Sequence, residues 1–209
     1  LLLHAPDIYE RIGSYGQMNP PIREKIHQEG LWNWLIDGTI DCIATDHAPH
    51  TVKEKQLPYG QAPSGMPGVE TSLALMLNEV SKKTISISDV VRWMSERTAS
   101  IYNVRGKGKL EPGFDADLTL VDMEKVKTVS NNNVFSKCGW TAFDGMELKG
   151  WPVKTIVNGS IVFENDTFYF EGAGKEVAFN IYPQTGHAFA NEENPLGTYN
   201  KEVAEMAWS

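Results

Sequence analysis

The stretch IDCIATDHAPHT (residues 40–51) runs a short apolar segment into an aspartate, two histidines and a proline. Ile40, Cys42, Ile43 and Ala44 read as a buried strand, because short apolar runs rich in β-branched residues suit a covered sheet. A strand that ends in Asp46, His47 and His50 delivers one carboxylate and two imidazoles to the carboxyl edge of a sheet. In open or barrel α/β folds, ligands and catalytic groups gather at that edge. The plainer alternative is a strand-to-loop turn in which Asp46 caps the backbone and Pro49 stiffens the exit. These residue types alone leave both readings open.

On the amino-terminal side, QMNPPIREK (17–25) carries Pro20 and Pro21, which forbid helix and fix an extended path. Leu31, Trp32, Trp34, Leu35 and Ile36 predict a short buried helix, ended by Asp37 and Gly38. On the carboxyl side, HTVKEKQLPYGQAPSGMPG (50–68) is too polar and too rich in glycine and proline for regular structure. Loops of that length are usually functional or disordered, and Glu54 and Lys55 are read as its solvated residues. Val69, Leu73, Met76, Leu77 and Val80 recur at helical spacing, which predicts a helix over 68–81. Ser88 and Asp89 open another helix, and 95–104 forms one more. Helix, strand, loop, helix is the rhythm of a parallel α/β unit.

The texture changes near Arg105. GKGKLEPGFDADLTLVDME (106–124) is glycine-rich and then alternates, with Ala116, Leu118 and Leu120 on one face. In VKTIVNGSIVF (153–163), Asn158-Gly159 between two β-rich arms is the strongest short hairpin signal. Residues 105–170 are therefore expected to form an antiparallel β module. Beyond them EVAFNIYP (176–183) alternates as a strand, His187 lies in a loop, and TYNKEVAEMAW (198–208) reads as an amphipathic helix.

Composition excludes several classes. The 209 residues are 41% hydrophobic and 22% charged, an ordinary globular balance. A formal net charge of -8 without a long basic run argues against a nucleic-acid surface. No apolar segment approaches the roughly 20 residues needed to cross a bilayer. Cys42 and Cys138 are too few for a disulfide framework and read as reduced thiols, so a cytoplasmic location is expected. The start, LLLHAPDIYE, has neither an initiator Met nor a leader pattern, and a chain cut at its front is expected.

MNPPIR (18–23), DGTIDCIATDHAPHTVKEK (37–55), APSGMPGVET (62–71), GFDADLTLVD (113–122) and KTIVNGSIVF (154–163) together resemble the carboxyl-terminal half of a dihydroorotase. That family belongs to the amidohydrolase superfamily of cyclic-amide hydrolases, and the resemblance covers residues 1–170. It implies an α/β fold: part of a (β/α)8 barrel over 1–104, then a small antiparallel β-sandwich module over 105–170. It implies interconversion of dihydroorotate and N-carbamoyl-aspartate, a step of pyrimidine biosynthesis. Zinc is the implied cofactor, polarising the carbonyl and lowering the pKa of bound water to roughly 7. Asp46 is the implied metal ligand and general acid/base, His50 and Asn19 the implied substrate contacts. Pro63, Ser64 and Gly65 match a loop whose backbone meets the substrate ring, with glycine allowing close approach. The implied partner is a small dihydroorotate-like molecule, with no nucleic acid and no membrane; self-association into a homo-oligomer is left open.

Two departures from the family pattern set the alternatives. No HxH pair occurs, and the five histidines are His4, His27, His47, His50 and His187, so the implied metal site is incomplete. LLL resembles the segment just after a metal-ligand histidine, and a fragment inactive on its own is expected. Residues 171–209 resemble the carboxyl end of a dienelactone hydrolase, with His187 matching its triad histidine, yet no nucleophile elbow is present. A foreign tail is expected there. The rival readings are a non-catalytic dihydroorotase-like assembly module and, from the tail alone, an α/β-hydrolase.

Overall fold

The computed structural model describes residues 1–169 of the 209, so the expectations placed on 171–209, His187 among them, lie outside the described residues. Six α-helices precede the sheet: α1 (Asp7–Ile12), α2 (Lys25–Asp37), α3 (Val52–Lys55), α4 (Ser72–Ser81), α5 (Ile87–Val91) and α6 (Arg97–Ile101). Four strands follow, β1 (Leu118–Thr128), β2 (Glu147–Val157), β3 (Ser160–Glu164) and β4 (Thr167–Phe168). They pair in chain order as one antiparallel meander.

The helix α4 is the pillar between two clusters of core side chains. Its Ala74 and Leu75 pack with Trp140, Phe143 and Leu148, while Met76 packs on the other side with Leu35, Val90 and Trp93. Five consecutive residues of α4, Ala74 to Asn78, are buried, so it is covered nearly all round rather than along one stripe. It also locks the sheet. Asn78 Oδ1 accepts the Lys149 N–H at 3.0 Å, and Gly150, at φ +99°, brings its backbone against Leu77. A Cβ at Gly150 would stand 2.8 Å from the Leu77 Cβ, so only glycine fits without displacement.

The β module follows its local signals. Asn158 and Gly159 both take positive φ, 49° and 79°, as a tight two-residue hairpin demands. Asn165 and Asp166, at 49° and 61°, repeat the device between β3 and β4. The first turn is stitched to the segment ahead of β1: the Asp117 carboxylate accepts the Asn158 N–H at 2.7 Å and pairs with Lys107, and Gly159 N–H donates to Ala116 O at 3.0 Å. The expected face of Ala116, Leu118 and Leu120 does not hold, because Leu120 is exposed. The register slips beside it: Leu120 faces Lys154 and Val121 faces Pro152, so β2 carries an extra residue, Val153, opposite the Leu120–Val121 step. Proline, which cannot donate to a ladder, sits where the ladder is already broken.

Further expectations are corrected. Residues 40–44 form no strand: the one bridge in this stretch joins His47 to Met66, and Ile43 N–H donates to Trp93 O at 3.1 Å. A strand exists only where neighbours pair its backbone, and among the described residues none runs alongside. The helix expected around 31–36 is α2, but Trp34 and Ile36 are over half exposed and only Leu35 is fully buried. Five apolar residues within six positions span more than one helix face at 100° per residue, so they cannot all point inward. The two helices expected after Ser88 merge, α5 running through a π-turn at Arg92–Glu96 into α6. Finally, Lys55 is not solvated but fully buried. No helix among the described residues is long and apolar enough to cross a membrane.

Candidate active site

Three segments that carry the sequence-predicted residues come together through backbone hydrogen bonds rather than through a sheet. The first is 46–50. Asp46 takes a left-handed backbone, φ 44°, which aspartate tolerates better than most residues but which still costs free energy. Its carboxylate is exposed and makes no hydrogen bond among the described residues. The next two residues pin it: His47 bridges Met66, and Ala48 N–H donates to Met66 O at 3.0 Å. His47 Nδ1 accepts the N–H groups of Gly68 and Val69 at 3.1 and 3.3 Å. A nitrogen that accepts two amides is unprotonated, so neutral His47 carries its proton on Nε2. His47 thus orients its neighbours.

His50 is held at both ends. Its carbonyl accepts the Trp140 Nε1–H at 2.7 Å, and its Nε2 lies 3.0 Å from Ser64 O. A carbonyl can only accept, so Nε2 carries the proton and Nδ1 of neutral His50 is left as an acceptor.

The second segment, 63–65, lies directly under His50. Gly65 has φ +139°, and a Cβ there would stand 2.7 Å from the Ala48 Cβ and 3.0 Å from His50 Nε2. The glycine is therefore required by the approach of 48–50, a contact within the chain and not the substrate approach that the resemblance implies. The third segment reaches Asn19 through Gln17. Gln17 O accepts the Gly65 N–H at 3.0 Å, its Nε2 donates to Ala62 O at 2.5 Å, and its Oε1 accepts the Gly60 N–H at 2.7 Å. Asn19 itself is exposed, two residues beyond this clamp.

An apolar cavity of about 460 Å³ adjoins the three segments. Met18 and Pro20 flank Asn19, Thr45 precedes Asp46, and Met66 follows Gly65, all on its wall. Asn19, Asp46, His50 and Pro63 to Gly65 themselves do not line it.

Sequence reasoning missed Gln17, Lys55 and Trp140. The Lys55 ammonium donates to Gln17 O, Pro63 O and Gly65 O at 3.1, 2.8 and 3.0 Å, and lies 5.8 Å from the Trp140 ring. Burial pulls its pKa below the usual lysine value. A signal for Lys55 does exist. TVKE (51–54) has capping-box spacing, and Thr51 and Glu54 do exchange hydrogen bonds at the start of α3. The Thr51 hydroxyl and amide hold the Glu54 carboxyl below its usual value.

The amidohydrolase family profile matches residues 22–162. The chain belongs to the amidohydrolase family. It is 40% identical over 185 residues to a dihydroorotase of Methanosarcina acetivorans, covering 84% of this chain and 39% of that protein. It is 39% identical over 166 residues to a dihydroorotase of Halobacterium salinarum, covering 79% and 39%. Among solved structures it resembles an L-hydantoinase (dihydropyrimidinase) from Arthrobacter aurescens, with a TM-score of 0.74 and 35% identity over 78% of this chain and 37% of that one. A D-hydantoinase from Thermus sp. follows at 0.72 and 28%, over 78% and 36%. The chain spans about two fifths of the length of these relatives.

Among the described residues no group of three or more His, Cys, Asp or Glu could hold a metal ion. His47 Nδ1 and His50 Nε2 are held by backbone groups, and their remaining ring nitrogens belong to no such metal-holding group. Catalytic zinc normally takes three protein ligands, and Asp46 alone does not fit one.

Proposed function

We propose that this chain carries the substrate-facing part of a cyclic-amide hydrolase of the dihydroorotase type. The observation that supports it most is the set of backbone and Lys55 contacts that join 17–19, 46–50 and 63–65, in a chain about 40% identical to dihydroorotases. In this reading Asn19 and His50 Nδ1 meet polar edges of the ring, and the backbone of Pro63, Ser64 and Gly65 meets another. Asp46 takes the proton of the attacking water and passes it to the ring nitrogen as the amide C–N bond breaks, so that water adds across that bond. An exposed carboxylate without a hydrogen-bond partner is free to do both. Zinc remains the cofactor that the family resemblance suggests; the described residues do not hold it by themselves, and no step here runs through it.

The finer organisation is part of the same proposal: 1–104 as the carboxyl-terminal part of a (β/α)8 barrel, 105–170 as the β-sandwich-type module, and 171–209 as a tail of other origin. A small-molecule substrate, a cytoplasmic location and no activity of the 209-residue chain alone belong to it as well. Calorimetric titration with dihydroorotate and with hydantoin tests the reading. Dihydroorotate should bind, more weakly after Asn19→Ala or His50→Ala. Binding unchanged in both variants, or a preference for hydantoin, would count against a dihydroorotase-type site.

A further inference from the structure

Lys55 is fully buried, and among the described residues no carboxylate pairs with it. A buried ammonium without a counter-ion is uncommon, because desolvation opposes the charge. Here its three protons are matched by three carbonyls, Gln17 O, Pro63 O and Gly65 O, so hydrogen bonding is complete although the charge is not neutralised. These carbonyls belong to two separate candidate segments. A single nitrogen therefore ties the Asn19 loop to the 63–65 loop.

The orientation of one peptide unit carries the consequence. The Pro63–Ser64 bond is not among the cis bonds, so its C=O and N–H point in opposite directions. With Pro63 O turned onto the ammonium, the Ser64 N–H faces away from it. Ser64 is exposed, and its amide makes no hydrogen bond among the described residues. The neighbouring Gly65 N–H is already taken by Gln17 O, and Ser64 O by His50. A cation on the carbonyl end of a peptide strengthens its N–H as a donor, since linked hydrogen bonds polarise one another.

We propose that Lys55 is a positioning residue, which fixes the 63–65 loop so that the Ser64 N–H is presented, strengthened and unpartnered, to an oxygen of an anionic cyclic ureide. The substrate clause rests on the cyclic-amide reading above; the effect of Lys55 on the Ser64 amide does not. A charged substrate is favoured over a neutral ring because the field of the uncompensated ammonium reaches the site through the peptide it polarises.

The test uses the 15N-labelled 209-residue chain followed by amide NMR. In the ligand-free protein, Lys55→Met should move the Ser64 amide proton upfield; no movement in a folded variant overturns the role of Lys55 whatever the substrate. With dihydroorotate as probe, the Ser64 amide should respond most strongly among residues 60–68. Lys55→Met should weaken binding at least about tenfold and abolish that response, as expected when an ordered donor is lost. Lys55→Arg, which keeps charge and donors, should recover most of both. If Lys55→Met fails to fold, the wild type and Lys55→Arg decide: a bound probe that leaves Ser64 unmoved overturns the proposal. A wild type in which Lys55→Met shifts Ser64 but dihydroorotate does not bind overturns the cyclic-amide reading and leaves the Lys55 contact standing.

Discussion

The β-meander and the loops around Asp46 are held by different kinds of bond. In the meander, β1 to β4 satisfy one another's backbone through a ladder, and the turns at Asn158-Gly159 and Asn165-Asp166 need only the residues inside them. Around Asp46 there is no ladder. Side chains reach into backbone instead: Lys55 to three carbonyls, Gln17 to Ala62 and Gly60, His47 to two amides, Trp140 to His50. A sheet is robust to any one side chain, whereas a loop cluster depends on a few buried polar ones. That dependence is what lets loops place chemical groups in positions no regular element would give.

The largest expected effect lies in the helical core that carries both regions. Trp93 is 1% exposed, and Trp93→Ala should cost about 3–5 kcal/mol in denaturant unfolding. Val126→Ala on β1, where the side chain is 52% exposed, should stay within about 0.5 kcal/mol. The reverse order would break the comparison, because the ladder would then depend on side chains more than the core does. Next comes the junction between α4 and β2. Gly150→Ala should cost about 1–3 kcal/mol, through the clash with Leu77 and the left-handed backbone, and a cost near zero would mean that α4 gives way there.

Asn158→Ala should be milder, about 1 kcal/mol, since it only forces a residue with poor left-handed propensity into φ 49°. The smallest effect is on the acid limb. Glu54 and Asp89 both have carboxyl pKa values held below the usual range, Glu54 first by the Thr51 hydroxyl and Asp89 first by the Ser86 amide. A depressed carboxyl contributes stability that is fully present above its unfolded pKa and lost as pH falls through its folded one. Glu54→Gln and Asp89→Asn should therefore flatten the stability profile below about pH 4.5, near the ordinary carboxyl values, and change its shape little at neutral pH. A steeper acid loss in either variant would contradict the cap geometry.

The sequence made the meander legible because its signals are local. Asn158-Gly159 needs no distant partner to specify a hairpin. The β2 bulge opposite Leu120 and Val121 is not legible, since nothing in DLTLVD announces that Pro152 will lie opposite. Around the site, the residue types of 40–51 point to Asp46 and His50, whereas the glycine requirement at Gly65 comes from Ala48 and His50, which sequence spacing does not reveal. The strand at 40–44 failed because strands are made by neighbours, and composition carries no information about whether they are present. Lys55 was read as solvent-facing because buried lysines are rare. Only the three carbonyls that meet its ammonium, supplied by residues 17, 63 and 65, explain its burial.

Under the proposed function these residues supply the acid/base carboxylate and the substrate-facing loops of a cyclic-amide hydrolase, but not a zinc site of their own. Metal analysis of the purified 209-residue chain, paired with a dihydroorotate hydrolysis assay in added zinc, tests this directly. No stoichiometric zinc and no turnover are expected, because the described residues offer no three-ligand group. One zinc per chain, with turnover that disappears in Asp46→Asn, would contradict it.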